Sequence, residues 1–319
     1  MRPFLLIFVI FILALTGACA AEPETLTLPH ASAPVSSIAF VTERNGNRDI
    51  YLIQPDGTGL IPLIVSPKAD SDPAFSPDGT MLAFRSRRDG SSDIYIAAAD
   101  GSGEWLNLVN DPSDSADDEF SPAWHPSGNL LALYTDRFQP PIGSCTGIRG
   151  VHHLGFIALD VSKPRIQHFD DFPGEQETLA WSPDGNTLLF GSVCGGDYLQ
   201  LYLWDRATRT VTPLTEPNYN AFSPAYSPDG KWLAFSSDQD GSPNLFLINL
   251  ETGETQNLTK NEFTDSYPAW SPDSQWIAFT RNLGGNEEIF LISVNGGEAI
   301  NLTNSPGADL YATWSPVLP

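Results

Sequence analysis

Ser223-Pro224-Ala225-Tyr226-Ser227-Pro228-Asp229-Gly230 is one copy of a phrase that recurs along the whole chain. Earlier copies are Asp72-Pro73-Ala74-Phe75-Ser76-Pro77-Asp78-Gly79, Ser121-Pro122-Ala123-Trp124-His125-Pro126-Ser127-Gly128 and Thr178-Leu179-Ala180-Trp181-Ser182-Pro183-Asp184-Gly185. Later ones are Tyr267-Pro268-Ala269-Trp270-Ser271-Pro272-Asp273-Ser274 and a shortened Tyr311-Ala312-Thr313-Trp314-Ser315-Pro316. Their equivalent prolines, Pro77, Pro126, Pro183, Pro228, Pro272 and Pro316, lie 49, 57, 45, 44 and 44 residues apart. A period of roughly 45 residues with four strand-like segments per period marks a propeller blade.

Each repeat reads alike. A small-then-aromatic strand ends in Pro-Asp-Gly, where proline presets φ and glycine accepts positive φ, so the chain reverses. A second apolar strand follows, as in Trp232-Leu233-Ala234-Phe235. A polar loop then leads to a third strand, Asn244-Leu245-Phe246-Leu247-Ile248, and a glycine turn to a weaker fourth that ends in Asn257-Leu258-Thr259. Run length and alternation fit strands rather than helices. Residues 37–65 supply a second, third and fourth strand but no first, and the C-terminal copy supplies a first strand and nothing else. Joined, they predict an all-β, six-bladed propeller of four-stranded antiparallel blades, closed by N- and C-terminal strands that share one blade. Such closure removes exposed sheet edges.

The repeat resembles the TolB-like propeller, the class found in TolB and in the propeller domains of prolyl-oligopeptidase-type peptidases. The Trp-Ser-Pro-Asp-Gly phrase carries the resemblance, which covers residues 37–319. In TolB a separate α/β domain precedes the propeller, and in the peptidases an α/β-hydrolase domain accompanies it. Here a Pro/Ala/Ser-rich tether over 19–36 is expected ahead of the propeller. The resemblance implies the fold and an envelope protein or peptide as partner.

The N-terminus bears on location. Met1-Arg2-Pro3, an apolar run over 4–15 and Thr16-Gly17-Ala18-Cys19 describe a secretory signal, too short for a lasting membrane span. The cysteine straight after small residues resembles a bacterial lipoprotein signal, with residues 1–18 removed and Cys19 lipidated. The expected protein is exported and lipid-anchored to the cell envelope, monomeric, and in contact with membrane through that lipid alone. A net charge of −23, from 16 basic against 39 acidic residues, speaks against nucleic acid, whose phosphates need a basic face.

Candidate sites follow from strand direction. Five residues before each aromatic anchor stand Asp70, Glu119, Gln176, Ala221, Asp265 and Asp309, with Asp72, Asp118, Glu175 and Glu177 nearby. Pseudo-symmetry places them where the innermost strands begin, around one mouth of the channel. Asp70, Asp72, Glu119, Asp265 and Asp309 are therefore the candidate partner-binding residues, with affinity for a basic segment or a cation such as calcium. The same carboxylates, next to proline, also suit turn capping. No other cofactor is indicated. An enlarged loop over 136–152 contains Cys145, and the equivalent loop of the next blade contains Cys194. In an oxidising compartment a Cys145–Cys194 disulfide is expected to pin that loop over the mouth.

The chain lacks a Gly-x-Ser-x-Gly elbow, a phosphate-binding glycine loop and a His-Glu-x-x-His pair. His125 replaces a repeat serine and reads as structural, and adjacent His152 and His153 would face opposite ways on a strand. The leading expectation is a non-catalytic scaffold that binds a protein or peptide at the mouth. The alternative is a polysaccharide- or peptide-processing enzyme, or the accessory subunit of a peptidase, using the same mouth with or without a metal ion.

Overall fold

The computed structural model describes residues 36–109, 118–136, 153–159, 166–168, 176–193 and 197–316. They form six sheets, each of four antiparallel strands. The innermost strands of blades one to five are Asp70–Phe75, Glu119–Trp124, Gln176–Trp181, Ala221–Tyr226 and Thr264–Trp270. In the closing blade Asp309–Trp314 pairs with Ile38–Thr42, which continues to Asp49–Ile53 and Ile61–Ile64. Each innermost strand touches the next, and the strand of the closing blade touches that of blade one, so the ring is complete.

Second strands sit mid-blade and are covered on both faces by neighbouring blades. They therefore read as continuous apolar runs rather than alternating ones. Ile38, Ala39, Phe40 and Val41 are fully buried, as are Leu131, Ala132 and Leu133. The core lies between blades: Val41, Ile50 and Leu310 pack with Leu82, Phe84 and Tyr95 of blade one. Tyr134 and Phe156 of blade two likewise meet Trp181, Phe190 and Trp204 of blade three. Three repeat tryptophans add directional links. Trp124, Trp270 and Trp314 donate their indole N–H to the Ala74, Ala225 and Ala269 carbonyls of the preceding blades at 2.9, 2.9 and 3.0 Å.

The Ser-Pro-Asp-Gly turn has a fixed wiring. The hydroxyl of Ser76 accepts the Met81 N–H at 2.9 Å and donates to Asp78 at 2.6 Å, and the Asp78 carboxylate accepts the Thr80 N–H at 3.1 Å. Ser182, Ser227 and Ser271 repeat the first bond with Thr187, Trp232 and Trp276. In the closing blade no covalent turn joins the two strands, yet the bond persists. Ser37 N–H donates to the Ser315 hydroxyl at 2.8 Å, and Ser315 N–H donates to the Ser37 carbonyl at 2.8 Å.

Ser315→Ala removes the acceptor at that joint while leaving the strand pairing intact. We expect a loss of about 1 kcal/mol in urea-unfolding free energy. An unchanged midpoint would show that the strand ladder alone closes the ring.

Candidate functional site

All six innermost strands carry a register-shifting bulge at the same place. Its residue is never glycine, although φ lies between 52° and 55° at Asp72, Ser121, Thr178, Ser223, Tyr267 and Tyr311. A left-handed backbone without glycine costs about 1–2 kcal/mol per residue and needs support from its surroundings. Part of that support comes from neighbouring blades: Ser121 N–H donates to Asp72 at 3.3 Å, Ser223 N–H to the Thr178 hydroxyl at 3.1 Å, and Tyr311 N–H to the Thr280 hydroxyl at 3.3 Å. The six side chains line a cavity of about 430 Å³ at the end of the channel where the innermost strands begin. Asp72 meets Arg85 there at 3.2 Å, and Tyr267 packs edge-on against Tyr311 with centroids 4.5 Å apart.

The expected ring of like charges at this mouth is corrected by the structure. Asp70, Glu119, Asp265 and Asp309 are all 0% exposed, because each faces the adjoining strand rather than the channel. Arg88 bonds Asp70 at 2.9 Å, Arg281 grips Asp265 with two bonds of 2.7 and 2.8 Å, and Arg44 reaches Asp309 at 3.1 Å. Each guanidinium also lies over aromatic rings: Arg88 over Trp105 at 4.0 Å, Arg281 over Phe290 at 4.7 Å, and Arg44 over Tyr51 at 5.3 Å. Glu119 accepts the Thr135 hydroxyl at 3.0 Å. Burial raises the Asp309 carboxyl above its ordinary range, against the opposing pull of Thr42 and Arg44. Of the five candidates, only Asp72 lines the cavity.

The missed signal was in the repeats. Arg281 is itself the strand partner of Asp265; Arg88 and Arg44 stand two residues past Ser86 and Thr42, the strand partners of Asp70 and Asp309; and Arg137 stands two past Thr135, the partner of Glu119. The blades with Gln176 and Ala221 have Cys194 and Gln239 at that place. Carboxylate and arginine enter a blade together. Arg137 lies outside the described residues, as do Cys19, Cys145, Cys194 and Glu175. Among the described residues no group of three or more His, Cys, Asp or Glu side chains could hold a metal ion.

His125 departs from the serine wiring. Its Nδ1 accepts the Ser127 N–H at 3.1 Å, which leaves Nε2–H to donate to the Gly185 carbonyl of the next blade at 3.1 Å. The ring packs edge-on against Trp181, 4.8 Å between centroids. At Gly185 (φ 71°), a Cβ would lie 2.4 Å from the imidazole, so both φ and contact require glycine. Burial lowers the imidazole pKa, and Arg206 acts in the same direction.

Fold and site define a class: a six-bladed propeller whose axial mouth is lined by one distinct bulge residue per blade. The chain belongs to the TolB beta propeller domain family, which it matches over residues 15–139 and 156–267. Residues 239–315 also match the dipeptidyl peptidase IV N-terminal region family. The Tol-Pal system protein TolB of Nitratidesulfovibrio vulgaris is 28% identical over 139 residues, covering 39% of this chain and 31% of that protein. The chain thus spans less than a third of the length of the curated TolB relatives it matches. TolB from Acinetobacter baumannii superposes with a TM-score of 0.70 at 20% identity, over 88% of this chain and 67% of that one. A puromycin hydrolase superposes with a TM-score of 0.55 at 16% identity, over 85% of this chain and 47% of that one. Both show a shared propeller fold.

Two outcomes follow. Asp265→Ala leaves Arg281 buried without its partner and should cost about 3 kcal/mol in chemical denaturation. Adding Arg281→Met should restore part of that loss, and strict additivity would show that the pair is not coupled. For His125 the folded pKa is depressed, so its stabilising contribution is present above the unfolded pKa of about 6.5 and is lost as pH falls through the folded value. His125→Ser, which restores the repeat residue, should flatten stability between about pH 6.5 and pH 5 relative to wild type. Parallel pH curves would contradict this account.

Proposed function

We infer that this protein is a non-catalytic scaffold of the bacterial cell envelope, anchored by a lipid on Cys19, that binds a protein or peptide partner at the channel mouth. The observation that carries the reading is the ring of bulge residues. Backbone, bulge and flanking strands repeat from blade to blade, while the side chain displayed into the cavity changes from carboxylate to hydroxyl to phenol. A rigid frame that displays a carboxylate, three aliphatic hydroxyls and two phenols in one concave cavity suits recognition. Among the described residues that line it, no imidazole stands beside Ser121, Thr178 or Ser223, so these hydroxyls serve as hydrogen-bonding groups. Membership of the TolB propeller family and the lipoprotein-like start of the chain support an envelope location. The expected Cys145–Cys194 bridge would hold the long loop beside this mouth.

The test is site-specific photo-crosslinking in cells, with benzoylphenylalanine replacing Tyr267 or Tyr311 and a control at Leu106 on the outer rim. One envelope protein should be captured from both mouth positions and not from position 106. Capture should vanish when Ser223→Trp fills the cavity of the still-folded propeller. No adduct from either mouth position would overturn the assignment.

A further inference from the structure

The channel has a second end. Pro73, Pro122, Leu179, Pro224, Pro268 and Ala312 border both the mouth cavity and a separate funnel of about 560 Å³ on the side of the Pro-Asp-Gly turns. One aromatic residue per blade walls this funnel: Phe75, Trp124, Trp181, Tyr226, Trp270 and Trp314. Its polar atoms are mostly occupied. Trp124, Trp270 and Trp314 donate to backbone carbonyls, and the Tyr226 hydroxyl bonds that of Thr187 at 3.2 Å. Trp181 differs: the residue is 8% exposed and its indole N–H, itself buried, has no hydrogen-bond partner.

Around this apolar well stand the exposed turn carboxylates Asp78, Asp184, Asp229 and Asp273, one from each of four blades. In each, Oδ1 accepts the repeat serine hydroxyl and a backbone N–H two residues on, so the position of the carboxylate is held. Lys231, 3.5 Å from Asp229, is the one basic partner of this rim among the described residues. The funnel is walled chiefly by prolines, alanines and aromatic rings. It suits an aliphatic or proline side chain, and a carboxylate rim beside aromatic rings suits an adjoining ammonium or guanidinium.

We propose that the turn-side funnel is a second binding site, which takes a basic peptide segment by seating an apolar residue among the six aromatic rings and its flanking Lys or Arg on the aspartate rim. Both ends of the ring then engage peptide chains, each through different chemistry.

Fluorine NMR of 5-fluorotryptophan protein tests this directly, since four of the eight tryptophans line the funnel and none lines the mouth cavity. The probe is acetyl-Lys-Leu-Pro-Leu-Lys-amide, with resonances assigned by single Trp→Phe variants. Resonances of Trp124, Trp181, Trp270 and Trp314 should shift on titration while those of Trp105, Trp204, Trp232 and Trp276 stay fixed. Asp78→Asn, Asp184→Asn, Asp229→Asn and Asp273→Asn combined should weaken binding at least about fivefold. Asp197→Asn, Glu216→Gln, Asp240→Asn and Glu262→Gln combined, an equal change of charge on loops of the other face, should leave it unchanged. Funnel resonances that stay fixed at millimolar peptide would overturn the proposal. So would equal weakening by the two variants, or funnel shifts produced by chitotriose in place of the peptide.

Discussion

Face-to-face stacking of blades is the constraint from which the rest of this structure follows. A middle strand covered on both sides has no solvent face, so Ile38 to Val41 and Leu131 to Leu133 are apolar without alternation and wholly buried. Any charge near the inner ends of such sheets must bring its own counter-charge, because a lone buried ion costs several kcal/mol. Asp70, Asp265 and Asp309 meet that demand with Arg88, Arg281 and Arg44, whose flat guanidinium groups also pack on aromatic rings of the same blade. Arginine suits this place better than lysine, since a planar cation can stack and form two bonds at once.

The same stacking makes closure a local problem. The strand Asp309–Trp314 needs only the edge of Ile38–Thr42 and the faces of its two neighbours. Ser315 and Ser37 reproduce, across chain segments distant in sequence, the bonds that Ser76, Ser182, Ser227 and Ser271 make within a covalent turn. The hydroxyl, rather than the Asp-Gly link, is the physical element shared by five of the six blades. Blade two varies it: His125 replaces the hydroxyl, keeps a bond within the turn to the Ser127 N–H and adds one to Gly185 of the next blade.

Fold class and strand count were legible because both rest on local chemistry repeated six times. The turn residues have fixed φ requirements, and the apolar runs have strand length. The boundaries of the closing blade could be read because residues 37–65 lack a first strand and the C-terminal copy lacks the other three. The site was legible only in part. Register placed the carboxylates at the correct end of the innermost strands, but a period-two strand sends neighbouring residues to different surroundings. Asp70 and Asp72 should therefore share a side; the bulge at Asp72, with its φ of 53°, separates them. One becomes a buried ion-pair member and the other lines the cavity. No local signal marks a non-glycine residue for the left-handed region, so the bulge ring was invisible in sequence. The arginine partners were visible as a co-occurrence within repeats, which a search for carboxylates alone does not detect.

Separating these roles changes how charge acts on the channel. With the inner carboxylates neutralised by arginine, the acidity of the chain, −23 in all, resides largely on loops and turns at the two faces rather than in the ring wall. Long-range attraction toward a basic partner is then a property of the rims and is screened over about 8 Å at physiological salt. In the binding roles proposed above, selection falls to the cavity walls, where side chains would meet a guest without intervening solvent. The mouth is polar and uneven, with the Asp72–Arg85 pair, three aliphatic hydroxyls and three phenols. The turn side is apolar and nearly even, six aromatic rings around prolines. Evenness follows from packing, since those aromatics also hold adjacent blades together and cannot vary freely. The bulge residues link blades through varied contacts, the Tyr267–Tyr311 ring pair and bonds to Asp72 and Thr178 among them, so side-chain chemistry differs from blade to blade at the mouth.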